Sequence, residues 1–219
     1  MKPLSLQKRV WLVTRLMRMV LSTLNALMIF VHVSVRNREM VPKKGAVLVV
    51  FNHESTFDPI ALFGALPRNV AFLAAGGLFR SKLSGFFMRW MGQIPVPRGT
   101  DAAAQALLAA EVVISFDGVV ALAPEGATFD RLHAAKTGAA RLAFKTGVLV
   151  VPAGLIGMKK IKPRGKFPRL LFRRAKIVFG EGFYAPRITD SPTPAELDAF
   201  NVLMMNCLAD LSEQPRLAA

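Results

Sequence analysis

The chain has 219 residues, 53% of them hydrophobic and 20% charged, which excludes a disordered chain and predicts one domain with a sizeable core. Lys and Arg number 29 against 14 Asp and Glu, and the formal net charge of +15 favours an anionic partner. The high apolar content favours a membrane or lipid partner over nucleic acid. The single cysteine, Cys207, excludes an internal disulfide, and we expect a buried thiol in a cytoplasmic protein.

The N-terminal segment is predicted to form an amphipathic helix. Its polar residues recur on one helix face, and the remaining faces are apolar: Lys8, Arg15, Arg18, Ser22, Asn25 and His32. The apolar run 19–35 is shorter than the ~20 residues of a spanning helix, and no small-residue cleavage site follows it. We therefore predict a membrane-interface helix over residues 1–38, which leaves 39–219 as the α/β domain. A helix packed on the core and a true span are the alternatives.

Apolar runs of strand length alternate with helical patterns along the rest of the chain. The predicted strands are 46–51, 69–75, 94–96, 118–124, 148–156 and 170–180. The predicted helices are 59–66, one capped by Ser81, 101–115, 134–146, and a last helix to Ser212 that opens with the capping box Thr193-Pro194-Ala195-Glu196. This alternation predicts a single α/β domain with a largely parallel central sheet flanked by helices.

Residues 52–58, Asn-His-Glu-Ser-Thr-Phe-Asp, concentrate polar side chains between two apolar runs. On one regular helix, His53 and Asp58 would point about 140° apart, whereas in a loop Asp58 can accept a hydrogen bond from the His53 ring. Such a pair is a general base with its orienting group, placed beyond the carboxyl end of a predicted parallel strand where ligands bind. Asp58 before Pro59 is also an ordinary helix cap, and the spacing alone leaves both interpretations open.

Five blocks, in order over residues 45–157, resemble the motifs of the lysophosphatidic acid acyltransferase family of glycerolipid acyltransferases. Residues 52–58 resemble its N-H-x-x-x-x-D motif, and 92–98 resemble its apolar strand ending in Arg. Residues 123–126, Ala-Pro-Glu-Gly, resemble Phe-Pro-Glu-Gly, and 136–138 resemble the Lys-x-Gly that follows it. Residues 150–152, Val-Val-Pro, resemble its last apolar strand.

This resemblance implies acyl transfer from a thioester donor, acyl-CoA or acyl carrier protein, to a hydroxyl of a lysophospholipid. Lysophosphatidic acid is the expected acceptor, phospholipid biosynthesis the expected setting, and neither a cofactor nor a metal is expected. By the same resemblance, His53 is the general base, Asp58 orients it, and Asn52 is a supporting contact. The implied location is the cytoplasmic face of a membrane, as a peripheral or monotopic protein.

The resemblance also implies the residues that bind the acceptor. Arg98 would hold its phosphate, since a planar guanidinium bonds phosphate oxygens in pairs, and Lys136 would add positive charge. Glu125, in a tight turn with Gly126, would hydrogen-bond an acceptor hydroxyl. Each of these residues alone is as readily explained as a solvated turn or helix side chain.

The sequence departs from the family pattern in the third block, which continues Ala127-Thr128-Phe129 where Thr-Arg-Ser is common. The missing Arg removes a phosphate contact, so either another base replaces it (Lys136, Arg131 or Arg141) or the acceptor is a different lyso-lipid. A hydrolase using the same base on water, and a non-catalytic basic membrane-binding module, are further alternatives. Nucleic acid is not an expected partner, because the basic residues are not interleaved with exposed aromatic residues.

Two other features fit the resemblance without deciding between functions. Residues 158–176 hold nine basic residues and no acidic one, and could contact anionic headgroups, an acidic carrier protein or coenzyme A phosphates, or form a solvated hairpin. A helical stripe is expected to face the core, with an acyl-chain pocket as the alternative: Leu83, Phe86, Phe87, Trp90 and Met91.

Overall fold

The computed structural model describes residues 19, 22–23, 33–90, 93–96, 100–161, 163 and 174–216. Within these ranges, seven strands form one sheet in the spatial order β1-β7-β6-β2-β5-β3-β4. The strands are β1 Val33–Arg36, β2 Val47–Phe51, β3 Val70–Ala75, β4 Ile94–Val96, β5 Val119–Leu122, β6 Leu149–Ile156 and β7 Ala175–Phe179. All neighbouring strands are parallel except β6 and β7, which confirms the predicted α/β class and largely parallel sheet.

Helices connect most of the strands. They are α1 Asp58–Ala65, α2 Lys82–Trp90, α3 Thr100–Ser115, α4 Gly138–Thr146, α5 Met158–Ile161 and α6 Pro194–Leu211, with 3-10 turns at Arg38–Met40 and Gly76–Phe79. The predicted capping box is confirmed, since Thr193 Oγ1 accepts from Glu196 N and the Glu196 side chain accepts from Thr193 N. The helix predicted over 134–146, with an interruption near Gly138, begins only at Gly138, because the preceding residues form a loop.

The core lies on both faces of the sheet, which explains the continuous apolar sequence of its central strand. All five residues of β2 are buried. Val47, Val49 and Phe51 pack in the layer that contains α1, whereas Leu48 and Val50 pack with α3, α4 and α6 on the other face. Cys207, predicted to be buried, is partly exposed on α6.

The predicted helix over residues 1–38 falls largely outside the described residues. Its last part is not helical, because Val33–Arg36 are β1, paired in parallel with β7 at the edge of the sheet. The sheet therefore already includes residues 33–36, which lie before the predicted boundary at 39. No helix in the described ranges is long and apolar enough to span a membrane.

Of the predicted core-facing stripe on α2, the structure describes the side chain of Phe86 alone, and that side chain does not face the core. Phe86 is 65% exposed, and the buried residue beside it is Gly85. The side chains of the other stripe residues lie outside the description: Leu83, Phe87, Trp90 and Met91. Most of the basic segment 158–176 lies outside it as well.

Candidate active site

The loop between β2 and α1 folds back and brings His53 and Asp58 together. His53 Nδ1 lies 2.8 Å from Asp58 Oδ2, and the same oxygen accepts a hydrogen bond of 2.8 Å from Ser55 N. The Asp58 side chain is 0% exposed and the His53 side chain 21% exposed. The carboxylate thus holds one ring nitrogen from within the protein, while the partly exposed ring leaves Nε2 for a ligand.

Asp58 is not the helix cap that its place before Pro59 predicts. The N-cap is Phe57, whose side chain makes no cap hydrogen bond, and Asp58 is the first residue of α1. The chain enters the helix through a tight turn, closed by a 3.0 Å bond from Asp58 N to Ser55 O. The turn directs the carboxylate back into the loop, where it orients the His53 ring.

Burial dominates the electrostatics of Asp58. Loss of hydration raises the pKa of this carboxyl, and the hydrogen bond and charge of the neighbouring His53 act in the opposite direction. An adjacent positive charge stabilises the ionised form of such a buried carboxyl group. The buried carboxylate thus lies directly against the ring nitrogen, where it can orient the imidazole.

Asn52 ties this loop to the neighbouring strand β6. Its Nδ2 donates to Leu155 O at 2.9 Å, and Leu155 N donates to its Oδ1 at 2.7 Å. Asn52 is 1% exposed, and the two bonds continue the β2–β6 ladder past the last pair, Phe51 with Ala153. The residue before the histidine is thereby fixed at the carboxyl end of the central strand.

Glu125 follows β5, the strand on the other side of β2, and supports His53 from that side. Its Oε2 accepts from His53 N at 3.0 Å, and its Oε1 accepts from His133 N at 2.9 Å. The residue is 3% exposed, and burial raises the pKa of its carboxyl. We predicted a contact with an acceptor hydroxyl; the structure instead gives each carboxylate oxygen a main-chain donor.

Gly126 completes the turn after Glu125 in a left-handed conformation, with φ of 72°. A Cβ built on it would lie 2.9 Å from Lys136 Nζ, so the lysine side chain crosses directly over the glycine. Lys136 N also donates to Pro124 O at 2.8 Å. The ammonium group of Lys136 is therefore placed beside the Pro-Glu-Gly turn on the exposed side of the site. Arg98 lies outside the described residues.

Glu54 is a site residue that sequence reasoning missed. Its Oε2 accepts from Met158 N at 3.1 Å, at the start of α5 beyond β6. Burial raises the pKa of the Glu54 carboxyl, the charge of Asp58 raises it further, and Lys159 lowers it. The partner is 104 residues away in the chain, so no local pattern signals the contact.

The loop after β5 also forms a main-chain hydrogen bond with His53. Phe129 N donates to His53 O at 3.0 Å, and the rings of Phe129 and His133 stack with centroids 3.9 Å apart. Loops from the adjacent strands β5, β2 and β6 thus meet at one edge of the sheet around His53. Among the described residues, no three His, Cys, Asp or Glu side chains converge as a metal site requires.

A mostly parallel sheet with a hydrogen-bonded His–Asp pair after its central strand defines an α/β protein with a candidate site at the carboxyl edge of the sheet. Residues 32–156, more than half of the chain, match the Acyltransferase family model, and the chain belongs to this family. The family predicted from the five sequence motifs is therefore confirmed.

Two curated relatives are chloroplastic 1-acyl-sn-glycerol-3-phosphate acyltransferases. LPAT1 of Arabidopsis thaliana is 33% identical over 141 residues, which are 62% of this chain and 39% of the relative. BAT2 of Brassica napus is 29% identical over 163 residues, 72% of this chain and 47% of the relative. The chain thus spans less than half the length of either relative.

A solved structure shares the fold. The 1-acyl-sn-glycerophosphate acyltransferase PlsC from Thermotoga maritima superposes with a TM-score of 0.70 at 20% identity, over 99% of this chain and 86% of that one.

Proposed function

We propose that this chain transfers a fatty acyl group from a thioester to the free hydroxyl of a lysophospholipid, with lysophosphatidic acid as acceptor and phosphatidic acid as product. The observation that carries the proposal is the 2.8 Å contact between His53 Nδ1 and the buried Asp58 carboxylate, in a chain of the Acyltransferase family. The acceptor named for the two plant relatives supports lysophosphatidic acid.

The reaction begins with proton transfer to His53. With Nδ1–H held by Asp58, the neutral ring presents Nε2 as the acceptor for the proton of the lyso-lipid hydroxyl. The hydroxyl oxygen attacks the thioester carbonyl carbon as its O–H bond breaks, and the proton moves to Nε2. The imidazolium that forms is stabilised by the Asp58 carboxylate.

The tetrahedral intermediate then collapses. Its C–S bond breaks, the electron pair leaves on sulfur, and the imidazolium returns its proton to the thiolate. The products are the new ester and the free thiol of coenzyme A or of the carrier protein, with His53 neutral again. No cofactor or metal enters this sequence of steps.

Lys136 is proposed to bind the acceptor phosphate together with Arg98. Lys136 is exposed and crosses the Pro-Glu-Gly turn next to Glu125, whose carboxylate holds the main chain of His53. A phosphate on this ammonium group would therefore lie close to the base. The position of Lys136 supports it as the replacement for the Arg that the third sequence block lacks.

The proposed setting is the cytoplasmic face of a membrane, with the protein held as a peripheral or monotopic protein. The acceptor and product are lipids, and the net charge of +15 suits an anionic bilayer surface. Acyl-CoA and acyl carrier protein are both proposed donors, since either supplies the thioester that the mechanism needs.

The test is acyl transfer from acyl-CoA, and separately from acyl carrier protein, to lysophosphatidic acid by the purified chain. We expect His53→Ala to lower kcat by about 10²- to 10⁴-fold, the contribution of a positioned base. Circular dichroism and the unfolding temperature check that the variant is folded. A panel of lyso-lipids with other headgroups tests the acceptor.

Each other outcome contradicts a stated part of the proposal. Equal activity of the wild type and His53→Ala contradicts the mechanism. Free fatty acid in place of acylated lipid indicates a hydrolase, and vesicle binding without any product indicates a membrane-binding module. Faster acylation of another lyso-lipid keeps the reaction and changes the acceptor.

A further inference from the structure

We propose that α2 and the turn before it form a docking surface for an anionic lipid bilayer. We call it the α2 surface and define it as Arg80, Lys82, Phe86 and Arg89. The inference deepens the proposed function and rests on it for the location of the substrate. Three independent features carry it: the place of α2 in the fold, the exposure of Phe86, and the charge around it.

The strand register places α2 at the edge of the sheet that carries the active site. β4 pairs only with the last three residues of β3: Leu73 with Ile94, Ala74 with Pro95 and Ala75 with Val96. The chain leaves the sheet at the carboxyl end of β3 and re-enters level with Leu73. The residues that follow β3, 76–90, therefore begin at the carboxyl edge of the sheet, where the His53 loop also lies.

The orientation of α2 turns an aromatic side chain outward. The helix packs on the 3-10 turn Gly76–Phe79, and Gly85 lies against Phe79 O with its N bonded to Ser81 O at 2.7 Å. Phe86, the next residue, is 65% exposed. Exposing a phenylalanine side chain to water is unfavourable, and contact with an apolar phase removes this free-energy cost.

Exposed basic residues flank this phenylalanine in the sequence of α2, and the guanidinium of Arg89 also contacts Phe79. Lys82 and Arg89 lie four residues before and three after Phe86, hence on the same helix face, and both are exposed, as is Arg80. Residues 76–96 contain three basic residues, Arg80, Lys82 and Arg89, and no acidic one. An exposed aromatic residue flanked by bases on one helix matches the interface of an anionic bilayer, where the ring enters the headgroup region and the bases contact phosphates.

A second exposed phenylalanine provides the contrast. Phe116 is 81% exposed between α3 and β5, at the opposite edge of the sheet. Its neighbour is Asp117, and the adjacent exposed Val112 follows Glu111. Arg68 also donates to Asp117 O on that side, so the charge near Phe116 is mixed. Exposure alone thus does not distinguish the two sites; the edge of the sheet does.

Nearer the base, Ile60 adds apolar surface at the active edge. It lies in the first turn of α1, two residues after Asp58, and is 44% exposed. A bilayer on the α2 surface would therefore meet the protein on the side where His53 takes its substrate.

The experiment places a reporter at each phenylalanine. In a Cys207→Ser background, Phe86→Cys and Phe116→Cys are each labelled with an environment-sensitive fluorophore and mixed with phosphatidylcholine vesicles, with or without phosphatidylglycerol. We expect a blue shift at position 86 on the anionic vesicles and none at position 116. Sedimentation of protein with vesicles that leaves the label at 86 unshifted overturns the proposal, as does absence of binding.

Unlabelled variants measure how much each side chain of the α2 surface contributes to the affinity for anionic vesicles. We expect Phe86→Ser to weaken partitioning to anionic vesicles by about tenfold or more, and Phe116→Ser to leave it unchanged. Lys82→Gln should weaken it about fivefold at low salt, whereas Lys44→Gln, an exposed lysine at the opposite edge, should not. Equal losses within either pair overturn the proposal, as does a label at 86 that responds to acidic carrier protein but not to vesicles.

Direct binding also separates this inference from the proposed function. If the label at 86 shifts but no acyl transfer is found, the surface stands and the enzyme assignment fails. If transfer to lysophosphatidic acid is found but the label does not shift, the enzyme assignment stands and the surface fails.

Discussion

The loops after β2 and β5 each contribute one buried carboxylate to the site, and the two carboxylates hold different parts of the same histidine. Asp58 contacts the imidazole ring of His53. Glu125 accepts hydrogen bonds from the main-chain N–H groups of His53 and His133. It thereby connects the loop after β2 to the loop after β5. One carboxylate therefore holds the ring of His53, and the other holds the backbone that carries it.

In the proposed reaction, Asp58 would act on proton transfer, whereas Glu125 would act on the position of the His53 main chain. Loss of the ring contact should act on proton transfer and leave the fold intact. Loss of the main-chain contacts should loosen two loops at once and affect stability together with activity. Substitutions that keep the size of each side chain and remove its charge distinguish the two roles.

The largest effect in this comparison is expected for Asp58→Asn. The amide no longer stabilises the imidazolium, so kcat should fall by about 10²- to 10⁴-fold. Because burial raises the pKa of this carboxyl, the neutral side chain should leave the free energy of unfolding equal to that of the wild type or higher. Steady-state kinetics and urea unfolding measure both, with Asp190→Asn, an exposed carboxylate, as control. A kcat within tenfold of the wild type would contradict the role of Asp58.

Glu125→Gln should have a smaller effect on rate and a larger one on stability. A glutamine can accept from only one of the two N–H groups, and its NH₂ then opposes the other. We expect a loss of about 1–3 kcal/mol in the free energy of unfolding and a fall in kcat of about 10- to 100-fold. KM for the acceptor should stay constant, because both oxygens face main-chain donors. A raised KM with unchanged stability would instead favour the acceptor-hydroxyl contact inferred from the family resemblance.

The sequence was sufficient to predict most of the sheet, because burial on both faces leaves a continuous apolar run that hydropathy detects. β2 is the clearest case, with five buried residues out of five. The capping box at Thr193 was equally predictable from the sequence, since its hydrogen bonds span only three residues. β1 was missed because its partner, β7, lies 142 residues further along the chain, and the apolar pattern before it resembles a helix.

The same distinction between local and distant contacts applies to the site. The His53–Asp58 pair spans five residues, and its spacing suggested it. Glu54 and Glu125 depend on donors that the fold supplies, at Met158 for the first and at His53 and His133 for the second. Residue type shows that a buried carboxylate needs donors, but does not show which main-chain groups provide them.

Gly126→Ala tests whether the turn after Glu125 also positions Lys136. The left-handed φ of 72° disfavours a side chain by about 1–2 kcal/mol, and the new methyl group would displace the Lys136 ammonium. Gly45→Ala is the matched control, since Gly45 has φ of 79° but nothing within 4 Å of an added Cβ. Both variants should lose similar stability, and only Gly126→Ala should raise KM for lysophosphatidic acid, by several-fold. Equal KM values would place the phosphate elsewhere.

The smallest effect is expected in the pH dependence of stability. Burial raises the pKa of Glu54, as it does those of Asp58 and Glu125, so the folded protein keeps protons that the unfolded chain has lost. The free energy of unfolding should therefore fall as pH rises from about 4 through these raised pKa values.

Glu54→Gln should make that decline shallower, because the amide oxygen can still accept from Met158 N but no longer titrates. Urea unfolding between about pH 4 and pH 8 measures the slope, with the exposed Glu39→Gln as a control that should leave it unchanged. Parallel curves for the wild type and Glu54→Gln would show that burial of Glu54 does not influence stability.

The two hydrogen bonds between Asn52 and Leu155 have a consequence for the order of folding. The segment that carries His53 is fixed by a strand 103 residues later in the chain, and in the completed sheet β5 lies between β2 and β3. Contacts of such long sequence separation form late and slowly, because a large loop has to close first. During synthesis, His53 would therefore stay unaligned until β6 has emerged and paired. Acyl transfer by a refolding sample would then report the completed central sheet rather than early helix formation.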